Sequence, residues 1–141
     1  MYARKQIDIG YRDLTAALGY CLWLGTGRRR LEADLEALWS EGGDAVTALS
    51  VRTAFDCWLS TQNFPRGSEA IVSGINIPDM ARILEHHGLH MVPVNVDLHT
   101  MEILADELEE AITPHTRLVL VAHLFGSRMD MDPVFEITDQ H

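Results

Sequence analysis

The side chains able to do chemistry in this sequence are few, and their spacing restricts them further. Three histidines crowd the segment HHGLH, at His86, His87 and His90. Two metal ligands on one helix must share a face at i, i+4, and Gly88 interrupts the helix between His86 and His90, so no metal site is expected there. Asp130 and Asp132 alternate in MDMDP without the glycine and glutamate of a calcium loop, and read as a turn and a helix cap. Cys21 and Cys57 sit in apolar runs, form no CxxC pair, and are expected to be buried free thiols. No phosphate-binding GxxxxGK, dinucleotide GxGxxG or nucleophile-elbow GxSxG is present. Covalent chemistry at a carbonyl through an imine needs an ε-amine. Of the eleven basic residues only Lys5 is a lysine; the other ten are arginines. No catalytic residue is assigned.

The charge balance excludes one partner class. A formal net charge of -10 over 141 residues is the wrong sign for a chain that neutralises phosphates along a nucleic acid. The single basic run, Arg28 to Arg30, reads as a solvated helix start, and Asp106, Glu107, Glu109 and Glu110 as a solvated helix face. The apolar stretch LTAALGYCLWL, residues 14–24, is far short of the roughly 20 residues a bilayer span needs, and is expected to be a helix that packs on something. No membrane association is expected. The cysteine usage suits a reducing, cytoplasmic setting.

Around these residues the pattern alternates. GTG at residues 25–27 reads as a hinge, so residues 1–26 are taken as an N-terminal extension or packing helix and residues 27–141 as a partial α/β domain. Residues 28–39 place Leu31, Leu35 and Leu38 on one helical face. AVTAL (45–49) is expected to be a first strand, residues 50–52 a turn, and residues 53–63 a helix. EAIVS (69–73), MVPVNV (91–96) and RLVLVA (117–122) are expected to be further strands, with Pro93 marking an edge or a bulge. Residues 78–87 form a helical pattern with proline at its first turn and Gly88 just past its end. Residues 104–112 form another, and Pro133 opens a last one.

Strands separated by helices argue for a layered α/β domain with a mostly parallel sheet and right-handed crossovers. The near-continuous apolar run RLVLVA belongs to a strand covered on both faces. Ligands of such folds lie outside the carboxyl ends of the strands. The positions of interest are therefore residues 50–53, 74–77, Asp97, and 123–126.

Several of these strand-end segments resemble the DegT/StrS family of sugar aminotransferases. GSEAIVSGINIPDMARILEHHGLHMVPVNVD (67–97) is similar to that family's stretch from second to third strand. ELEEAITPHTRLVLVAHLFG (107–126) matches most closely, and MDMDP (129–133) continues the match. The resemblance covers roughly residues 27–141. It implies an incomplete version of the large domain of a fold-type-I aminotransferase that uses pyridoxal phosphate (PLP), with a nucleotide-linked keto sugar and an amino donor as partners. It places Arg52, Thr53 and Ala54 at the phosphate cup between the first strand and its helix, where a helix N-terminus favours anions. Thr53 would then be both helix cap and hydroxyl donor, or a cap alone. The family more often has glycine at the position of Arg52. It usually sets an aromatic ring where Ile77 stands; isoleucine can cover the apolar ring face but cannot stack on it. Asn76 either contacts the cofactor or shapes the turn, and His123 either lines the pocket or is structural.

The family's pyridine-pairing aspartate and cofactor lysine belong to segments beyond His141, and Lys5 matches no motif. The expectation is therefore a fragment of an active enzyme or a truncated, inactive form. The rival is a non-catalytic binding or regulatory module that associates with a partner or with itself. Either way a half-built sheet leaves an unpaired edge, so a homo-oligomer is expected.

Overall fold

A computed structural model of the protein describes residues 9–22, 27–126 and 128–141. The chain divides into two compact units between Thr47 and Ala48. The first contains helices α1 (Tyr11–Leu22) and α2 (Arg28–Trp39). The second runs α3 (Val51–Gln62), β1 (Glu69–Ser73), α4 (Pro78–His86), β2 (His90–Val94), α5 (Ala105–Ala111), β3 (Thr116–Leu120), a short 3-10 turn (Leu124–Gly126) and α6 (Asp132–Asp139). The hinge expected at residues 25–27 falls largely outside the described residues, as does Lys5.

The three strands form one sheet in the order β2-β1-β3, and both pairings are parallel. Parallel neighbours need crossovers, and α4 and α5 supply them. Alternation along β1 then assigns the layers. Ala70 and Val72 face one core with Leu59 of α3, Leu84 of α4 and Leu89. Ile71 faces the other, with Val94, Ile103, Leu108 of α5, Met129 and Val134 of α6. Helices cover both faces, which is why EAIVS is apolar throughout its centre. Pro93 pairs opposite Val72 on the edge strand β2, one of the two places its sequence context allowed.

Local signals explain the boundaries. Pro78 occupies the first turn of α4, where its missing N–H costs nothing. At the other end Gly88 adopts φ 75°, its amide donates to Glu85, and the Leu89 amide donates to Leu84. This is a Schellman motif, and its Leu84 and Leu89 both enter the core.

Three expectations are corrected. Residues 45–49 form no strand: a lone extended segment cannot satisfy its own backbone groups, and the sheet order offers it no neighbour. Val46 and Leu49 are exposed. Helix α3 begins at Val51, not Thr53, which absorbs most of the expected turn. Cys21 and Cys57 are exposed; Cys57 stands two residues before the buried Leu59, on the other side of α3. Helix α1 likewise buries no residue among those described. No helix among the described residues is long and apolar enough to cross a membrane.

The core assignment makes a measurable contrast. Leu108 is fully buried, whereas Leu38 on α2 is 79% exposed. Leu108→Ala is expected to lower unfolding free energy in urea by about 2–5 kcal/mol, and Leu38→Ala by less than about 0.5 kcal/mol. Equal effects would show that the two-faced packing of the sheet is wrong.

Candidate functional site

Two helix N-termini meet at the carboxyl end of β1. The strand finishes at Ser73, and after the four residues 74–77 the chain enters α4. Ser73 is buried; its hydroxyl donates to the Ile75 carbonyl at 3.4 Å and accepts from the Ala122 amide at 3.2 Å, so it fixes the exits of β1 and β3 together. The Gly74 amide donates to Val94 at 2.7 Å, and a Cβ at Gly74 would stand 3.2 Å from that same oxygen. The Asn76 side-chain oxygen accepts from the Ile77 amide at 2.8 Å, which shapes the turn. Ile77 occupies the position just before α4 with its side chain half exposed.

The N-terminus of α3 is capped by Ser50, not by Thr53. Ser50 has extended dihedrals (φ -156°, ψ 158°), and its Oγ accepts from the Thr53 amide at 3.1 Å. The Thr53 hydroxyl lies 3.1 Å from Ser50 Oγ. The Ala54 amide enters the helix ladder by donating to Ser50. Among the described residues the Val51 and Arg52 amides meet no acceptor, so this end keeps two backbone donors for an anion. The sequence signal for the cap was the SVRT spacing, a serine three residues before the threonine it serves.

An ion-pair bridge joins the two N-termini. Arg52 Nη1 sits 3.1 Å from Asp79 Oδ2, and Arg82 Nη1 sits 3.3 Å from Asp79 Oδ1. Farther along, His87 Nε2 lies 2.8 Å from Asp56 Oδ1 and braces α4 against α3. Arg52, Thr53, Asp56, Asp79, Arg82 and His86 line a shallow groove of about 400 Å3 between the helices. Asp79 and Arg82 had no place in the sequence reading. Their i, i+3 spacing was visible, but the contact with Arg52, 27 residues away, was not.

The other strand-end positions lie apart from this groove. His123 is exposed; its Nδ1 accepts from the Met129 amide at 3.4 Å, and it also lines a cavity of about 690 Å3 between β3 and α6. Asp97 closes its own loop: Oδ1 accepts from the His99 amide at 2.7 Å and the Thr100 amide at 3.0 Å. Among the described residues no group of three or more His, Cys, Asp or Glu side chains could hold a metal ion.

With this geometry, comparison with known proteins becomes specific. Residues 13–141 match the DegT/DnrJ/EryC1/StrS aminotransferase family. The chain belongs to that family. GDP-perosamine synthase of Caulobacter vibrioides is 31% identical over 97 residues, which cover 69% of this chain and 26% of that protein. GDP-4-keto-6-deoxy-D-mannose 3-dehydratase of Yersinia pseudotuberculosis is 34% identical over 97 residues, covering 69% and 24%. Among solved structures, the candidate sugar aminotransferase Spr1654 of Streptococcus pneumoniae, in its PLP form, superposes with a TM-score of 0.76 at 26% identity, covering 94% of this chain and 35% of that one. The chain thus spans about a quarter to a third of the length of these proteins. Its α/β layering is that of the PLP-dependent sugar enzymes.

A phosphate group needs hydrogen-bond donors and positive charge. The α3 N-terminus suits a phosphate, with two unengaged amides and a hydroxyl beside them. An ε-amine is absent from the described residues.

Two outcomes follow from these contacts. Ser50→Ala removes the α3 cap and is expected to cost about 1 kcal/mol of stability, with Thr53→Ala costing less than half of that; the reverse order in urea unfolding would return the cap to Thr53. The Thr100 and His99 amides, in that order, hold the Asp97 carboxyl below its ordinary value of 3.8. A lowered carboxyl stabilises the fold above the unfolded value and loses that effect as pH falls through the folded one. Amide exchange at His99 and Thr100, corrected for intrinsic rate, should therefore stay protected above pH 3.8 and lose protection below it. Asp97→Asn should remove this acid dependence. Protection that does not change through this range would contradict the assignment.

Proposed function

We propose that this chain forms the phosphate-holding part of a PLP-dependent enzyme acting on a nucleotide-linked keto sugar, with an amino donor such as glutamate, in a reducing cytoplasmic setting. The observation that carries the reading is the α3 N-terminus, capped by Ser50 and left with unengaged Val51 and Arg52 amides at the carboxyl end of the sheet. Family membership and the sugar enzymes it is similar to support the substrate class.

In this reading the Val51 and Arg52 amides donate to phosphate oxygens, assisted by the partial positive charge of the helix end. The Thr53 hydroxyl turns from Ser50 to add a third donor. Ala54, with only a methyl group, lets the phosphate approach the first turn. Ile77 shields one face of the pyridine ring from water, and Asn76 keeps Ile77 in place through its hydrogen bond to the Ile77 amide. When bound, PLP supplies an electron sink for bond breaking at the amino-bearing carbon. The covalent part of that chemistry needs an amine this chain has only at Lys5, so the 141 residues alone are proposed to be inactive in amino transfer.

A second reading, self-association as a non-catalytic module, is favoured by one feature. Strand β3 pairs only with β1 among the described residues, and the cavity beside it is lined by Val119, Val121, Met131, Val134 and Phe135. An open strand edge next to apolar surface invites a second chain, so a homo-oligomer is proposed in either case.

Pyridoxine 5′-phosphate and pyridoxine, which carry no aldehyde to react with Lys5, separate phosphate binding from covalent capture. The phosphate ester is expected to bind the 141-residue chain at least about tenfold more tightly, and Thr53→Ala to weaken it about fivefold, the equivalent of roughly 1 kcal/mol. Equal affinity for the two compounds would refute the phosphate cup. Amino transfer by the Lys5→Ala chain, with no other protein present, would refute its proposed inactivity.

A further inference from the structure

The bridge between the two helix N-termini has a consequence for anion affinity. Arg52 is the cationic side chain closest in sequence to the unengaged amides of α3, yet its guanidinium is paired with Asp79. Asp79 uses both oxygens, one on Arg52 and one on Arg82. The groove these side chains line holds two arginines and two aspartates, so its formal charges cancel where a phosphate would need a positive field. The pair is also weak enough to break. Its side chains are 52% and 45% exposed, and ion pairs with that much solvent contribute little. We propose that Asp79 is a positioning residue that engages the Arg52 guanidinium across the two helix N-termini and thereby holds down the phosphate affinity of the α3 end. The inference rests on the phosphate-binding reading above.

Removing the Asp79 charge does two things at once. It deletes a negative charge from the groove that Arg52 and Thr53 line, and it releases Arg52 to swing over the Val51 and Arg52 amides, where a charge-assisted hydrogen bond to phosphate becomes available. Asn at this position keeps the size of the side chain, and α4 loses only an exposed charge–dipole contact at its first turn.

The test is titration of the full 141-residue chain with inorganic phosphate, followed by 31P NMR at constant ionic strength. Asp79→Asn is expected to tighten phosphate binding by about threefold to tenfold, and Asp79→Glu to restore the original affinity. Arg52→Ala alone removes one positive charge from the balanced groove and should weaken binding by about twofold to threefold; in the Arg52→Ala background, Asp79→Asn should recover less than half of its logarithmic gain. Thermal midpoints of all variants should stay together. Unchanged or weaker binding by Asp79→Asn, or the same gain with and without Arg52, would overturn the inference while leaving the cup intact, provided Thr53→Ala still weakens binding. No phosphate binding by any variant would overturn the cup reading, and this inference with it.

Discussion

Strand β1 is hydrogen-bonded along both edges and covered on both faces. Among the described residues, no other strand is paired on both edges. Its five residues therefore decide which helices go where. Ala70 and Val72 draw α3 and α4 to one face, and Ile71 draws α5 and α6 to the other. A one-residue slip would exchange those faces and leave both cores mismatched. The register is fixed at one end by the Glu69 carboxylate, which accepts from the Thr113 and Thr116 hydroxyls, and at the other by the Ser73 hydroxyl. The candidate site inherits its geometry from the Ser73 end. The loop from Gly74 to Ile77 leaves β1 there, and α4 and the front of α3 are brought to the same place.

That convergence also sets the electrostatics. Two helix N-termini side by side give two partial positive charges, which unopposed would repel each other across the groove. Asp79 in the first turn of α4 answers one of them, and its pairing with Arg52 reaches the other. The same carboxylate that makes the helix junction comfortable without a ligand makes the junction less attractive to an anion. His87 and Asp56 fasten the helices farther from this end, so the junction does not depend on the Asp79 bridge for its cohesion. Structural support and charge tuning are thus carried by different pairs.

Much of this was legible in the chain itself, for physical reasons that can be named. EAIVS was readable as a buried strand because burial on both faces makes the apolar run continuous, and α4 because Pro78 and Gly88 mark its two ends with backbone conformations few other residues favour as well. AVTAL was misread. Its composition is that of a strand, but a strand is defined by a neighbour, and composition carries no information about neighbours. Cys57 was misread because a run of apolar letters in a helix says nothing about which face each one occupies. The α3 cap was misassigned by three residues, since SVRT offers two hydroxyls and only the backbone dihedrals decide between them. The Arg52–Asp79 contact joins residues on different elements, and no local pattern could have disclosed it.

The two edges of the sheet are not equivalent, and the difference bears on what this unit can join. On β2, Pro93 removes a backbone donor, the usual way an edge is blunted against further pairing. On β3, all five residues retain their N–H groups, and the strand borders a cavity walled by α6 rather than by another strand. Extension of the sheet is thus disfavoured at one side and open at the other. A segment arriving at β3 would gain backbone hydrogen bonds and cover apolar surface in one step.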